Sequence, residues 1–210
     1  MCVEHRTISL GFTGEEMHEG MHICYVYDDE AERDDVISRF LEAGLLANEK
    51  VLCLVNDVSE PGRVGKLAEP RPGSLNIADA AKSYCPSGTF TPDDMLDLIR
   101  DFYLQAVDAE QYAGARGAGQ MEWSLDDALA TEEQLISYEV KLNSVLARHP
   151  LTVICQYDAR RYSGRTIMDI LSTHPAVIIR GKVVKNPYFT DPEALLRKYR
   201  ARAGNGLADA

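Results

Sequence analysis

The chain has 210 residues, a length that suits a single α/β domain, and 45% of them are hydrophobic, enough to form a buried core. Its 33 acidic and 22 basic residues give a formal net charge of -11, which disfavours direct binding to nucleic acid. The sequence lacks a long apolar run and a secretory signal pattern, so we predict a cytoplasmic protein without membrane contact. Basic residues are concentrated in one place, near the end of the sequence, and we interpret them as a solvated face of the last predicted helix: Arg197, Lys198, Arg200 and Arg202.

Short apolar runs alternate with amphipathic segments, which predicts a three-layer α/β domain, a mostly parallel sheet with helices on both faces. Strands are predicted over about 22–27, 51–55, 75–78, 117–123 and 151–157, with a strand or hairpin over 177–184. Helices are predicted after Asp28 or Asp29 and from Thr91, Thr131, Gly164 and Asp191. The first helix is expected to end at Gly44 or Asn48.

The turn after the first predicted strand is where such a chain would bind phosphate, but its residues do not suit that role. It has the sequence Tyr27-Asp28-Asp29-Glu30, without the glycines and lysine of a P-loop or the G-x-G-x-x-G of a dinucleotide site. Carboxylates at a helix N-terminus compensate its dipole and repel a triphosphate. The glycine-rich stretch 114–119 precedes a strand-like segment rather than a helix, so we interpret it as a flexible or tightly bent loop.

Cysteine and histidine residues allow, but do not require, a metal site. The five cysteines are scattered without the spacing of a disulfide framework. His22, Cys24, Cys155 and His174 offer ligands suited to zinc or a similar ion. A histidine before an apolar strand is more often a hydrogen-bonded structural residue, so the leading interpretation includes no metal and no other cofactor. No nucleophile elbow, C-x-x-C or H-E-x-x-H motif is present, and no catalytic residue is assigned.

Glu139 falls in the middle of the apolar stripe of the helix predicted from Thr131, so its carboxylate must be paired, hydrogen-bonded or neutral. Arg116 is a possible partner, and both a structural ion pair and a ligand-facing carboxylate remain open. Trp123 is either a core residue or part of an apolar ligand pocket. The polar residues that end the first and fifth predicted strands should lie at the carboxyl edge of the sheet, where open α/β sheets bind ligands, whereas His22 should lie at the opposite edge.

These clusters, in this order, resemble the MEDS family, a sensory domain named after methanogens, methylotrophs and a dichloromethane-responsive regulator. The matching features span about residues 20–195: His22-Ile23-Cys24 with Tyr27, 40–45 followed by 49–51, Arg116, 121–123, Tyr138-Glu139, Leu142-Asn143, 155–158, His174-Pro175 and 186–188. The resemblance implies a RecA- or KaiC-like fold without a P-loop, a role in signal transduction, and small hydrocarbon-derived ligands. Family members are often joined to a helix-turn-helix or kinase-like domain, and this chain has only a helix and a short tail after residue 195, so we expect output through a separate partner unless the chain is part of a longer protein.

We therefore predict an N-terminal extension over 1–19, a sensory domain over 20–195, and a helix end and tail over 196–210. The predicted function is a stand-alone, non-enzymatic sensor in signal transduction or transcriptional regulation. It would bind a small molecule and signal through a regulatory protein such as a kinase, an anti-sigma factor or a transcription factor. The candidate ligand-binding residues are His22, Cys24, Tyr27, Arg116, Glu122, Trp123, Tyr138, Glu139, Gln156, Tyr157, Asp158 and His174.

Two alternatives belong to other functional classes. The first is a thiol- or metal-dependent enzyme on a degenerate ATPase-like fold, with Cys24 or Cys155 as nucleophile or ligand. The second is a ligand-free interaction module, whose acidic surface around residues 28–35 would favour a basic partner.

Overall fold

The computed structural model describes residues 6–190 together with Ala194, Leu195 and Arg197. The predicted helix start at Asp191 and the predicted tail after residue 197 lie outside the described residues.

The strands are β1 (Thr7–Ser9), β2 (Glu16–His18), β3 (His22–Tyr27), β4 (Glu49–Val55), β5 (Leu75–Asp79), β6 (Gly114–Gln120), β7 (Thr152–Asp158), β8 (Ala176–Ile179) and β9 (Lys182–Lys185). The α-helices are α1 (Glu30–Leu46), α2 (Ala80–Tyr84), α3 (Pro92–Leu104), α4 (Glu132–Leu146) and α5 (Gly164–Leu171). A π-helical turn, Gln105–Ala109, follows α3, and short 3-10 turns cover Val64–Lys66 and Glu122–Leu125.

The main sheet has the strand order β5-β4-β6-β7-β3-β8-β9. All of its neighbouring strands are parallel except β9, which returns antiparallel to β8 as a hairpin. β1 and β2 form a separate antiparallel pair. The predicted mostly parallel α/β sheet is therefore confirmed.

The sheet is covered on both faces, which confirms the predicted three layers. On one face α1 packs Val36, Ile37 and Phe40 against the sheet, together with Ile8 and Leu10 from the β1–β2 segment. On the other face, the buried residues of α2, α3, α4 and α5 form a second core with alternate side chains of the same strands. The strands contribute to both cores because successive side chains point to opposite faces.

Local sequence signals place the helix starts correctly. Asp29 is the N-cap of α1, where its carboxylate accepts hydrogen bonds from the backbone N–H groups of Ala31 and Glu32. Thr131 forms a capping box with Gln134 at the start of α4. Each cap satisfies helix N–H groups that would otherwise lack a partner, which is why these predictions hold.

The interpretation of residues 114–119 as a bent loop is wrong, because this glycine-rich stretch is the buried central strand β6. Its glycines serve close packing: a Cβ on Gly119 would lie 2.7 Å from the hydroxyl oxygen of Tyr84. The strand predicted over 117–123 instead ends at Gln120, and the 3-10 turn Glu122–Leu125 follows.

Gly44 does not end the first helix, which continues to Leu46. A Cβ on Gly44 would overlap the Arg116 side chain, so the missing side chain leaves room for that residue under α1. Asn48, just beyond the helix, adopts a φ of 57° in the left-handed region that commonly ends helices.

Candidate functional site

Four buried side chains with metal-ligating chemistry meet beneath α4. His22 begins β3, Cys155 lies in the middle of β7, Glu139 projects from α4, and His174 lies in the loop between α5 and β8. One ligand atom from each lies within 4.8 Å of the others, and all four side chains are buried. We call these residues the His/Cys/Glu cluster.

One carboxylate oxygen is the common contact of the His/Cys/Glu cluster. Glu139 Oε2 lies 3.0 Å from His22 Nε2 and 3.4 Å from His174 Nε2. The Cys155 Sγ lies 3.7 Å from the same oxygen and 3.6 Å from His22 Nε2. The second oxygen, Oε1, accepts a 2.5 Å hydrogen bond from the Tyr157 hydroxyl. Oε2 is thus turned towards the three other members, while Tyr157 holds Oε1.

Hydrogen bonds outside the cluster indicate the orientation and tautomer of His22. The Asn143 side-chain nitrogen donates to the backbone carbonyls of Glu139 and Thr173, at 3.0 and 2.9 Å. The Asn143 oxygen must then accept, and it lies 3.2 Å from His22 Nδ1. Nδ1 therefore carries a proton, and Nε2 is the ring nitrogen directed at the Glu139 carboxylate.

His174 is oriented in the same way as His22, with Nδ1 at a hydrogen-bond acceptor and Nε2 towards Glu139. Its Nδ1 lies 2.9 Å from the backbone carbonyl of Ile170, which can only accept a hydrogen bond. Its Nε2 is buried and has no hydrogen-bond partner within the described part of the chain. The Nε2 atoms of both rings therefore face one carboxylate oxygen, and this contact requires a proton or another cation between the nitrogens and the oxygen.

Burial also determines the protonation states around Glu139. Burial, reinforced by the nearby His22, lowers the pKa of His174 to about 3, so this ring is neutral at pH 7. Burial, and then the negative charge of Glu139, raises the pKa of the Cys155 thiol well above its ordinary value. A neutral, buried thiol is a poor nucleophile, which weakens the thiol-enzyme alternative. Cys24 lies opposite Cys155 in the strand register, and burial raises its thiol pKa as well.

The carboxyl edge of the sheet carries a separate, acidic pocket of about 250 Å³. In it, Glu122 accepts hydrogen bonds from the Tyr27 hydroxyl at 2.9 Å and from the Asn56 amide at 2.8 Å. Asp158 also lines the pocket and forms an ion pair with Arg160 at 2.7 Å. Its acidic lining residues outnumber the arginines: Glu30, Asp34, Asp57, Glu60, Glu122 and Asp158 against Arg33 and Arg161. This lining is unfavourable for a phosphate group.

Three other predicted ligand residues belong to the core. Trp123 stacks on Tyr84 with ring centroids 4.5 Å apart, and Tyr138 meets Tyr84 edge-on at 5.9 Å. Gln156 is buried opposite Tyr25 in the strand register, on the face covered by α1. The structure thus divides the predicted ligand residues among the His/Cys/Glu cluster, the acidic pocket and the core.

Arg116, the possible partner named for Glu139, does not pair with it. Arg116 lies on the opposite face of the sheet, where its Nε contacts Glu49 Oε2 at 2.5 Å. Its guanidinium also donates to the backbone carbonyl of Phe40 at 2.7 Å and lies over the Phe40 ring. Arg116 and Glu139 are both buried in elements far apart in sequence, and the sequence pattern does not show which face each side chain takes.

A larger pocket of about 420 Å³ opens at the amino edge of the sheet, next to His22. Its walls come from the β1–β2 segment, the end of α4 and the β8–β9 segment, with Met17, Met21, Leu146 and Val183 as its larger apolar residues. The pocket could not be predicted from the sequence, because its residues come from three distant segments without a shared motif. Asn143, which lines it, was detectable from its position four residues after Glu139 on one helix face.

The profile of the family described as MEthanogen/methylotroph, DcmR Sensory domain (MEDS) matches residues 21–175. The chain belongs to the MEDS family. This confirms the resemblance recognised in the sequence, and the match includes all four residues of the His/Cys/Glu cluster. Membership gives the chain a sensory, regulatory role.

A curated relative of this MEDS chain is the transcriptional repressor DcmR of Methylorubrum extorquens, 31% identical over 160 residues. The match covers 73% of this chain and 57% of the repressor, so the chain spans little more than half of that protein.

Two solved structures share the fold of the MEDS domain. The flagellar accessory protein FlaH of Methanocaldococcus jannaschii is 12% identical, with a TM-score of 0.52 over 86% of this chain and 84% of its own. A KaiC-like protein of Pyrococcus horikoshii is 16% identical, with a TM-score of 0.57 over 83% and 80%. At these identities the likeness supports the predicted RecA/KaiC-like fold alone. Among the described helices of the MEDS domain, none is long and apolar enough to cross a membrane.

Proposed function

We propose that this MEDS domain is a sensor that binds a small, hydrocarbon-derived molecule in the amino-edge pocket beside His22. The observation that carries the proposal is the pocket itself, which joins an apolar wall to one member of the buried His/Cys/Glu cluster. Small-molecule sites commonly combine an apolar lining with a few polar groups that fix the orientation of the ligand.

The pocket has the size and composition for such a ligand. Its volume of about 420 Å³ lies within the range of about 300–1,000 Å³ found for small-molecule sites. Met17 and Met21 offer flexible, polarisable surface that adapts to small apolar groups. His22, Asn143 and Lys185 supply the polar groups at its border.

The position of the pocket supports a signalling role. A ligand there would contact the β1–β2 segment, α4 and the β8–β9 hairpin together, and would favour one relative arrangement of these elements. We propose that a regulatory protein, such as a transcription factor, a kinase or an anti-sigma factor, responds to that arrangement. The repressor relative supports an output that reaches transcription. The proposal requires no turnover and assigns no catalytic residue.

NMR of the full chain labelled with 13C at the methionine methyl groups tests the pocket. The probes are one- to four-carbon alcohols, amines and chloroalkanes, dichloromethane included. We expect saturable shifts of the Met17 and Met21 methyl resonances with at least one probe, and no shift of the exposed Met168, which does not line the pocket.

Two variants at the end of α4, one in its last turn and one at its C-cap, serve as a matched pair. Ala147→Phe should fill the pocket and abolish the shifts, because Ala147 lines it. Ser144→Phe places the same ring on the exposed helix surface outside the pocket and should leave the shifts unchanged. The absence of saturable shifts with every probe, or equal binding by both variants, would refute the proposed site.

A further inference from the structure

We propose that His22 Nε2, His174 Nε2, Cys155 Sγ and Glu139 Oε2 form a binding site for one divalent transition-metal ion, with Zn²⁺ as the best match. Two imidazoles, a thiol and a carboxylate are a donor set that zinc and cobalt accept. The sequence offered a metal set with Cys24 as a member; the geometry replaces Cys24 with Glu139.

The spacing of the four donor atoms fits a tetrahedral ion. Zinc bonds of about 2.0–2.3 Å place neighbouring ligand atoms about 3.3–3.6 Å apart. Four of the six distances between donor atoms are 3.0, 3.4, 3.6 and 3.7 Å, and all six are within 4.8 Å. The cluster would therefore contract around the ion to complete the coordination sphere.

The outer contacts of the cluster are those expected around a metal. Metal-bound histidines commonly donate their second ring N–H to a carbonyl, which directs the other nitrogen at the ion. His22 does so to the Asn143 side-chain oxygen, and His174 to the Ile170 carbonyl. Tyr157 holds the Glu139 oxygen that faces away from the cluster. Each of these contacts leaves a free lone pair directed inwards.

The charges also favour a divalent ion over a proton. A proton on His22 would satisfy the contact with Glu139 but leave the buried His174 Nε2 without a partner. A divalent ion would contact all four donors. When it binds, the Cys155 S–H bond breaks, the sulfur binds the metal as thiolate, and the proton passes to solvent. Thiolate, carboxylate and M²⁺ then sum to zero net charge.

The amino-edge pocket gives the metal a route to the cluster. The four side chains are buried, but His22 also lines the pocket, which is open to solvent. Metal binding does not depend on the small molecule proposed above, since all four ligands come from the protein. The two proposals can therefore fail separately.

The test uses the full-length chain, stripped of metal with a chelator and titrated with Co²⁺ and then Zn²⁺. We expect one ion per chain, and a thiolate-to-cobalt absorption band that Zn²⁺ displaces. Cys155→Ser should remove the band and weaken Zn²⁺ binding by about 100-fold or more, since even outer-shell changes cost about 10–100-fold. Cys24→Ser is the matched control: it is equally buried, occupies the paired strand position, and should keep the band.

X-ray absorption of the zinc-loaded wild type provides a second measurement that needs no variant. It should show one sulfur and two imidazole scatterers in the first coordination shell. Failure of the wild type to bind one ion per chain, a band that survives Cys155→Ser, a band lost equally in Cys24→Ser, or a shell without sulfur would each overturn the proposal.

Discussion

Two buried carboxylates lie on opposite faces of the same sheet, and they are balanced in different ways. On the α1 face, Glu49 contacts the guanidinium of Arg116, a permanent cation, and also receives Arg6 at 3.1 Å. On the α4 face, Glu139 Oε2 meets the Nε2 atoms of His22 and His174, at 3.0 and 3.4 Å. The counter-charge of Glu49 is thus a side chain of the protein itself. The groups around Glu139 instead suit an exchangeable cation, a proton or a metal ion.

This difference distinguishes the structural ion pair of Glu49 and Arg116 from the candidate binding site around Glu139. A buried carboxylate is costly unless charge or hydrogen bonds compensate it, so both groups need partners. The Arg116 guanidinium cannot lose its proton near neutral pH, and its contact with Glu49 therefore does not respond to conditions. The partners of Glu139 are groups that exchange protons and bind metals, so its surroundings can respond to what the domain encounters.

Glu49→Gln should have the largest effect on stability. It leaves the buried Arg116 without a full counter-charge, and breaking such a pair costs about 3–5 kcal/mol in the free energy of unfolding. Urea denaturation of the metal-free chain at pH 7, followed by Trp123 fluorescence, measures the loss. The double variant with Arg116→Met should recover part of it, because no charge is then left buried alone. A loss below about 1 kcal/mol would show that the pair is not structurally important.

Gly44→Ala should have an intermediate effect on stability. It should lower the free energy of unfolding, whereas the same change in most helices raises it. Alanine in place of glycine normally stabilises a helix by about 0.5–1 kcal/mol. Here the added methyl group would overlap Arg116, so we expect a loss of about 1–3 kcal/mol from overpacking, measured by the same denaturation. Gly164→Ala is the control, because a Cβ there has no described atom within 4 Å. A stabilised Gly44→Ala variant would contradict the tight fit of Arg116 beneath α1.

Glu139→Gln should have the smallest effect on the metal-free chain, although the chemical change equals that of Glu49→Gln. The new amide N–H can donate to an imidazole lone pair, and the amide oxygen can still accept from Tyr157. The free energy of unfolding should therefore change by no more than about 1 kcal/mol, the usual worth of one hydrogen bond. A loss as large as that of Glu49→Gln would mean that Glu139 also belongs to a structural ion pair, and the contrast between the two faces would disappear.

The sequence was most informative where local physics determines the structure. β3 was predicted with its observed limits because a short apolar run is bounded by polar turns, and the caps Asp29 and Thr131 follow from their side-chain chemistry. Glu139 was singled out because helical periodicity alone places it among apolar residues.

The partners of the buried charged side chains could not be predicted from local sequence patterns. Glu139 and Arg116 are both buried and opposite in charge, but the sheet separates them, and only the packing of α1 and α4 on opposite faces shows it. The His/Cys/Glu cluster combines two strands, a helix and a loop that meet only in the folded chain. The first half of β6 was missed for another reason: its glycines have no apolar periodicity, and its strand conformation depends on the neighbouring strands β4 and β7.

The glycine-rich composition of β6 has a consequence for the order of folding. A strand with so few side chains has little intrinsic preference for the extended state, and its backbone loses more entropy than most on folding. It pairs on both sides with strands distant in sequence, which makes early contact formation slow. We therefore expect β6 to become extended only when β4 and β7 are both in place to pair with it.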